Sequence, residues 1–285
     1  MKIKIKFIAL FILTIFLILL SLNTFKASAK TDSETTLKDR FISYCLFAPD
    51  KKIKESPSEY GLKYEEVQIN LKNNNKLFGW YIPADKKTDK HIIYLHGSKG
   101  NIGLYLGGIK ELHKVGTNIL ILDYEGFGRS TGNETIANTI NDSIAMYNYL
   151  IKEKHANPKN ISLFGYSYGG ALAAELARKK EFHALVLEST FSSLFEIAIA
   201  KHYPLVEFII SENILNTKEN VRNLKIPILF AYAENDKIIP TSNSKKLFEA
   251  ANKPKYIYEI KDAEHHNIFK FVTPEYVNLI KKIIL

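Results

Sequence analysis

An α/β fold with a mostly parallel central sheet is predicted by three features of this chain. Short segments made almost entirely of apolar residues alternate with longer segments of helical periodicity, which is typical of parallel strands buried between helices on both faces. A pair of segments at 64–71 and 76–82 precedes them. Its polar and apolar residues alternate, which predicts an antiparallel hairpin at one edge of the sheet. No repeat or change in composition after residue 29 suggests a second domain, so we expect one domain.

The elements follow one another regularly after this hairpin. The asparagine-rich segment 72–75 closes the hairpin, and asparagine is common in such turns. Each apolar segment that follows is short enough for a strand and is flanked by polar residues. Further strands are predicted at 91–95, 118–122, 161–164, 184–187, 227–232 and 256–260, and helices at 102–114, 136–152, 171–179 and 274–284.

Residues 1–29 differ from the rest of the chain. Alternate lysines precede an apolar run from Phe7 to Leu22, and Ala27-Ser28-Ala29 follows it, which is typical of a cleaved secretory signal. The run is short for a helix that crosses a ~30 Å hydrocarbon core. Residues up to Phe25 could extend it, so an N-terminal membrane anchor is the alternative, with membrane association through residues 7–25. Either reading places the folded domain outside the cytoplasm.

Residues 30–285 are predicted to form a single α/β domain. The segment 191–223 is too long for one crossover helix, and its apolar clusters indicate two helices that form a small cap. The formal net charge is +9, but the lysine excess is scattered and no basic helix or zinc spacing is present, so we expect no nucleic-acid partner. Cys45 is the only cysteine. Without a cysteine pair or a histidine motif for metal, neither a metal nor another cofactor is expected.

One short motif carries the strongest chemical signal. Gly165-Tyr166-Ser167-Tyr168-Gly169-Gly170 directly follows the apolar strand 161–164 and precedes the helix 171–179. G-x-S-x-G between a strand and a helix forms a strained turn that exposes the serine hydroxyl above the sheet edge. A serine between glycines is otherwise an ordinary turn residue. The setting predicts Ser167 as a nucleophile.

Further blocks occur in a fixed order around this motif, from about Phe47 to Phe271. They are Pro57 to Glu65, Gly79-Trp80-Tyr81-Ile82-Pro83, Leu95 to Asn101, Asp123 to Ser130, Glu188-Ser189-Thr190-Phe191, Asp236-Lys237-Ile238-Ile239-Pro240 and His266-Asn267. With these blocks the chain resembles the α/β-hydrolase superfamily, and within it the serine hydrolases of the Bem46 and ABHD12/13/17-type group. The resemblance implies the α/β-hydrolase fold. Two positions depart from the pattern: His265 stands where glycine is usual, and Glu125 where a basic residue is common.

Serine needs a base, and the base needs a group that orients it. In α/β-hydrolases these follow in the order serine, acid, histidine. Asp236 after strand 227–232 and His266 after strand 256–260 match the second and third positions. We therefore predict a catalytic triad of Ser167, Asp236 and His266. Two neighbours, Glu234 and His265, are the alternatives for the acid and the base.

Acyl transfer also needs N–H donors for the negative oxygen of the intermediate. The backbone N–H of Tyr168, the residue after the serine, is the first candidate. By position the second is the backbone N–H of Ser98, which follows His96-Gly97. His96 is expected to brace this loop. The loop lacks the Gly-Lys-Ser/Thr of a phosphate-binding loop, which excludes nucleotide binding there.

The resemblance implies a serine hydrolase that cleaves carboxylic esters or thioesters through an acyl-enzyme. Its substrate would be a small-molecule or lipid ester, since the segment from Phe191 to Ile210 is apolar and the N-terminus is expected near a membrane. A serine peptidase of the prolyl-oligopeptidase type and a non-catalytic binding protein on the same fold are the alternatives. No oligomeric state is assigned.

Overall fold

Strands buried on both faces build the centre of the molecule. The structure is a computed structural model that describes residues 37–200 and 210–285. The strands within these residues are β1 (Ala48–Pro49), β2 (Glu65–Asn70), β3 (Lys76–Ile82), β4 (His91–Leu95), β5 (Lys99–Gly100), β6 (Asn118–Leu122), β7 (Ile161–Tyr166), β8 (Leu185–Glu188), β9 (Ile228–Ala233) and β10 (Lys255–Ile260). Every residue of β4, β6, β8 and β9 is buried, which explains their continuous apolar sequences.

Eight of these strands form one sheet in the order β2-β3-β6-β4-β7-β8-β9-β10. Strand β3 is antiparallel to both β2 and β6. The remaining neighbours in the sheet, β6, β4, β7, β8, β9 and β10, are parallel. The hairpin predicted at one edge is therefore confirmed. Strands β1 and β5 form a separate parallel pair.

Helices cover both faces of the sheet. The helices within the described residues are α1 (Leu37–Leu46), α2 (Leu106–His113), α3 (Ile136–Lys152), α4 (Tyr168–Lys179), α5 (Leu194–Ala200), α6 (Thr217–Arg222), α7 (Ser242–Ala250) and α8 (Pro274–Ile284). Both α3 and α8 begin and end as predicted. A threonine caps each: Thr135 accepts the N–H of Asn138, and Thr273 accepts the N–H of Tyr276, which satisfies amides that the helix leaves free.

The two helical layers enclose separate parts of the core. Helices α2 and α8 cover one face, where Ile109 and Ile280 pack with strand residues such as Ile92 and Val186. Helices α3, α4, α6 and α7 contact one another on the other face. The α/β fold with a mostly parallel sheet and antiparallel edge strands is thus confirmed.

The chain from Ser43 to Leu285 forms one compact unit. The predicted N-terminal segment 1–29 lies outside the described residues. Of the predicted cap 191–223, α6 packs against α4 and α7 as part of the layer that flanks the sheet, and 201–209 lie outside the described residues. Among the helices that the structure describes, none is both long and apolar enough to cross a membrane.

Parallel strands place their carboxyl ends along one edge of the sheet. Ser98, Ser167 and Asp236 follow β4, β7 and β9, and His265 follows β10. In open α/β sheets this edge is where ligands bind. The topology therefore brings all the predicted site segments to one side of the molecule.

Candidate active site

Ser167 occupies a strained turn between β7 and α4. Its φ is 54° and its ψ is −120°, a conformation that side-chain-bearing residues rarely adopt. Its N–H donates to the carbonyl of Glu188 (2.8 Å), and its own carbonyl accepts the N–H of Gly170 (3.0 Å). The turn is held from both sides, so the hydroxyl projects from the edge of the sheet.

Close packing of strand and helix explains the glycines around Ser167. A Cβ on Gly165 would lie 2.4 Å from the Cα of Gly170. A Cβ on Gly169 would lie 2.0 Å from the carbonyl oxygen of Leu95. Both clashes involve backbone, which cannot move aside as a side chain can. The turn at Ser167 therefore requires glycine at both positions.

We expect Gly169→Ala to destabilise the fold by about 2–3 kcal/mol, because the added methyl group forces α4 away from β4. Gly108→Ala is the matched control. Gly108 lies inside α2, and its Cβ would meet only the Tyr94 hydroxyl, at 3.8 Å, so alanine there should be neutral or stabilising by up to about 1 kcal/mol. Urea denaturation measures both changes. Equal stability of the two variants would contradict the close approach described above.

His265 lies between Ser167 and Asp236, and His266 does not. The Nε2 atom of His265 is 3.0 Å from the Ser167 Oγ, and its Nδ1 atom is 2.7 Å from the Asp236 Oδ2. Its side chain is 5% exposed. The prediction of His266 as the base is therefore corrected to the neighbouring residue.

The local turn separates the two histidines. The Glu264 N–H donates to the Asn267 side chain (2.7 Å), and the Asn267 N–H donates to the Glu264 carbonyl (3.2 Å). Within this turn His265 points inward, while His266 is exposed and its ring meets the His265 ring edge-on, with 5.0 Å between centroids. The hydroxyl of Tyr166 donates to the His265 carbonyl.

Burial alternates through this segment: Ala263 and His265 are buried, and Glu264 and His266 are exposed. In a strand, the apolar residue two positions before His265 would indicate that His265 points inward. Because the segment is a turn, strand alternation could not be used to choose between the two histidines from the sequence. The resemblance to the family pattern at His266-Asn267 pointed the other way.

Asp236 is held in place by backbone amides. Its Oδ1 accepts the N–H groups of Ile238 (2.9 Å) and Ile239 (2.7 Å), and its Oδ2 faces His265. Burial alone would raise the pKa of Asp236, but the hydrogen bonds from His265 and these amides outweigh burial and lower it. Asp236 is therefore an ionised acceptor, so the His265 Nδ1 carries the proton and donates it in this hydrogen bond.

Glu234, the other acidic candidate, points elsewhere. Its carboxylate accepts the N–H of Asp262 (3.0 Å) and pairs with Lys261 (3.4 Å). It shapes the turn after β10. Within the residues that the structure describes, it does not contact His265.

Ser98 lines the same cavity as Ser167, and Tyr168 is the first residue of α4, directly after Ser167. Within residues 37–200 and 210–285, neither backbone N–H donates to a protein acceptor. The Ser98 carbonyl accepts the N–H of Ala48 (2.9 Å), and the Tyr168 ring packs edge-on against Phe47 at 5.1 Å. The segment around β1 thus fixes both residues.

His96 braces the loop after β4. It is fully buried and stacks on Tyr124 at 4.1 Å. Burial lowers the pKa of His96 to about 3, so the ring is neutral and its Nδ1 donates to the Gly97 carbonyl (2.8 Å). Asp123, beneath it, accepts the N–H of Ile102 (2.9 Å). Both residues support the loop that carries Ser98.

A cavity of about 580 Å³ opens beside Ser167. It runs between the segment after β4 and the segment that contains His265 and His266, and its inner wall includes Glu188. None of the described residues of 191–223 lines it, although the apolar segment from Phe191 to Ile210 was the predicted source of an acyl pocket. In the described parts of the chain, no cluster of three or more His, Cys, Asp or Glu residues could hold a metal ion.

Comparisons with known proteins agree with this architecture. A family model described as "Hydrolase_4: Serine aminopeptidase, S33" matches residues 86–212. The YfhR protein of Escherichia coli O157:H7 is 30% identical over 231 residues, which cover 79% of this chain and 80% of that protein. Protein bem46 of Schizosaccharomyces pombe is 28% identical over 202 residues, which cover 68% of this chain and 67% of that protein.

A solved structure shares the fold. The esterase Pf2001 of Pyrococcus furiosus superposes with a TM-score of 0.70 at 23% identity, over 84% of this chain and 97% of that one. The order of the strands, the turn at Ser167 and these relatives lead to one conclusion. The chain belongs to the α/β-hydrolase family and is similar within it to bem46.

Proposed function

We propose that the protein is a serine hydrolase that cleaves carboxylic esters or thioesters through an acyl-enzyme. One observation carries the proposal: the Ser167 hydroxyl lies 3.0 Å from the His265 Nε2, while the His265 Nδ1 lies 2.7 Å from Asp236. This is the arrangement in which a base can accept the proton of a serine nucleophile.

The first half of the reaction uses all three side chains. Ser167 Oγ attacks the carbonyl carbon of the ester, and its proton moves to the His265 Nε2. Asp236 holds the Nδ1–H tautomer of His265 and stabilises the imidazolium. When the tetrahedral intermediate collapses, the bond to the leaving alcohol or thiol breaks and His265 Nε2 protonates that group. The acyl group remains on Ser167.

Water completes the cycle by the same path in reverse. It attacks the acyl carbon while His265 Nε2 takes one of its protons. When this second tetrahedral intermediate collapses, the bond between the acyl carbon and Ser167 Oγ breaks, His265 Nε2 returns the proton to Oγ, and the acid is released. In both halves negative charge develops on the acyl oxygen. We propose that the N–H groups of Ser98 and Tyr168 stabilise that charge. One such donor is typically worth about 3 kcal/mol in the transition state.

A serine peptidase is the second candidate, favoured by the match to the serine aminopeptidase family S33. Esters are preferred here for two reasons. The cavity beside Ser167 opens to the surface within a single compact unit, and esters have better leaving groups than amides. A matched pair of substrates separates the two functions.

We expect p-nitrophenyl butyrate to be hydrolysed at a rate that depends on Ser167, and alanine p-nitroanilide and a blocked dipeptide p-nitroanilide to be cleaved no faster by the native protein than by Ser167→Ala. Release of p-nitrophenol and of p-nitroaniline is followed in the visible range. Cleavage of either anilide that depends on Ser167 would favour the peptidase, because a peptidase also cleaves an activated ester. Hydrolysis of neither substrate class would favour a binding protein.

The setting of the enzyme is proposed from the sequence alone. Residues 1–29 are proposed to act as a signal peptide or membrane anchor that delivers the catalytic domain outside the cytoplasm. A lipid ester near the membrane is one substrate class that this location would supply.

A further inference from the structure

A carboxyl group that the proposed mechanism does not use lies in the wall of the active-site cavity. Glu188 is the last residue of β8, and its register partner in β7 is Tyr166, the residue before the nucleophile. Its backbone carbonyl accepts the Ser167 N–H, so the side chain starts one strand away from the reacting serine. The residue is 6% exposed, and it lines the cavity.

This carboxyl group has one protein partner in the described residues. The Tyr276 hydroxyl donates to its Oε1 at 2.8 Å, and no described lysine, arginine or histidine forms an ion pair with it. A buried carboxylate without a cation is costly. Burial raises the pKa of Glu188 to about 7, against a smaller lowering by Tyr276. Such groups in clefts are candidates for function.

Glu188 is not a second acid for His265. The Nδ1 of His265 is occupied by Asp236 and its Nε2 faces Ser167. The Glu188 Oε1 instead accepts a hydrogen bond from the Tyr276 hydroxyl of α8. A purely structural role would need only the one hydrogen bond to Tyr276, which a neutral amide or hydroxyl could also accept.

Aromatic side chains line both cavities that Glu188 lines. Tyr94 and Tyr166 line the main cavity with Glu188. A second cavity of about 30 Å³ is lined by Glu188, by Glu111, which pairs with Lys114 (2.6 Å), and by aromatic and aliphatic residues. The aromatic residues are Tyr94, Phe164, Phe269 and Tyr276, and the others are Gly108, Leu112, Ile268, Val272, Val277 and Ile280. Glu188 and Tyr94 line both cavities, and the Tyr94 and Phe164 rings stack at 5.1 Å. The small cavity is therefore a side chamber next to the substrate cavity.

The chamber suits a small cation. A volume of about 30 Å³ is enough for one group of the size of a water molecule or an ammonium. Aromatic faces attract cations, most strongly where water is excluded. An ammonium would also supply the positive charge that the buried Glu188 lacks. An alkyl chain end would leave that carboxyl group unpaired.

We propose that this chamber binds an ammonium group on the acyl part of the substrate, with Glu188 as its anion and the rings of Tyr94 and Tyr276 as its walls. The inference rests on the proposed function, since it concerns the same cavity. It makes Glu188 a specificity-determining residue and the substrate an ester or thioester of an amino-substituted acid whose amine lies at a distance from the carbonyl carbon.

Pairs of esters of equal length test this directly. The p-nitrophenyl esters of 6-aminohexanoate and 8-aminooctanoate are compared with those of heptanoate and nonanoate, in which a methyl group replaces the ammonium. In the native protein, kcat/KM should favour the amino ester of at least one pair by about tenfold or more, the usual effect of a hydrogen bond to a charged group. Equal rates, or a preference for both alkyl esters, would overturn the inference.

Two variants locate the effect. Glu188→Gln keeps an acceptor for Tyr276 and removes the charge, so the ratio of amino to alkyl ester should fall about tenfold or more. Glu55→Gln is the matched control, because Glu55 also lines the cavity but is exposed; its ratio should change less than about twofold. Loss of the preference in Glu55→Gln alone would assign recognition to Glu55 and overturn the chamber.

The outcomes also distinguish failure of the ammonium site from failure of the proposed serine hydrolase function. Hydrolysis of the alkyl esters without any preference for the amino esters leaves the serine hydrolase standing and removes only the ammonium site. Hydrolysis of none of the four esters removes both. If Glu188→Gln does not fold, the comparison of paired esters in the native protein and in Glu55→Gln still decides: a preference present in both supports the chamber, and its absence from either overturns it.

Discussion

Exchange of His265 for alanine is expected to lower kcat for p-nitrophenyl butyrate by at least about 10⁴-fold, whereas His266→Ala should lower it by less than about tenfold. The His265 Nε2 lies 3.0 Å from the Ser167 Oγ, so its loss leaves the nucleophile without a base. His266 is exposed and touches the His265 ring only edge-on. The two adjacent variants are matched in chemistry and differ only in where their side chains point.

The comparison needs a check on folding, because His265 is buried. Circular dichroism and the urea midpoint of both variants show whether the loss of activity exceeds any loss of folded protein. A large loss in His266→Ala with normal activity in His265→Ala would return the base to His266 and contradict the orientation of this turn.

Exchange of Ser167 for alanine should abolish ester turnover above the uncatalysed rate and leave the fold intact. The side chain of Ser167 forms its hydrogen bond with His265 alone among the described residues. Alanine has the same Cβ, so it adds no new strain at φ 54°. Stability should therefore change by less than about 1 kcal/mol.

Ser242→Ala is the control for this variant. Ser242 is an exposed serine at the start of α7, far along the chain from the nucleophile, and its exchange should leave kcat and KM unchanged. Equal turnover by Ser167→Ala and the native protein would mean that another group attacks the ester.

The fold was predictable because its signals are local and repeated. Strands such as β4 and β6 are apolar at every position, and the capped helices α3 and α8 have clear ends. Helix α7 was missed because lysines and polar residues hide its apolar positions; only Asn243, Ser244 and Leu247 are buried.

Only the part of the site that follows from the order of the strands in the chain was predictable. Ser167 and Asp236 follow strands whose carboxyl ends must meet at one edge, so topology alone places them together. The choice between His265 and His266 depends on the rotation of one turn, which the Asn267 side chain sets.

Sequence carried no warning of the buried Glu188. Its environment is built by Tyr94, Phe164 and Tyr276, from three elements that are remote in the chain. Long-range packing of this kind has no periodic or motif signal.

Labelling with a fluorophosphonate tests the central claim most directly, which is that Ser167 is a nucleophile activated by His265. The Ser167 oxygen would attack phosphorus, fluoride would leave, and the proton would pass to His265. Intact mass should show one adduct per chain, and peptide mass spectrometry should locate it on Ser167. The adduct should be absent in Ser167→Ala and form at least about 100-fold more slowly in His265→Ala. Failure of the native protein to react, or an adduct on any other residue, would contradict the account.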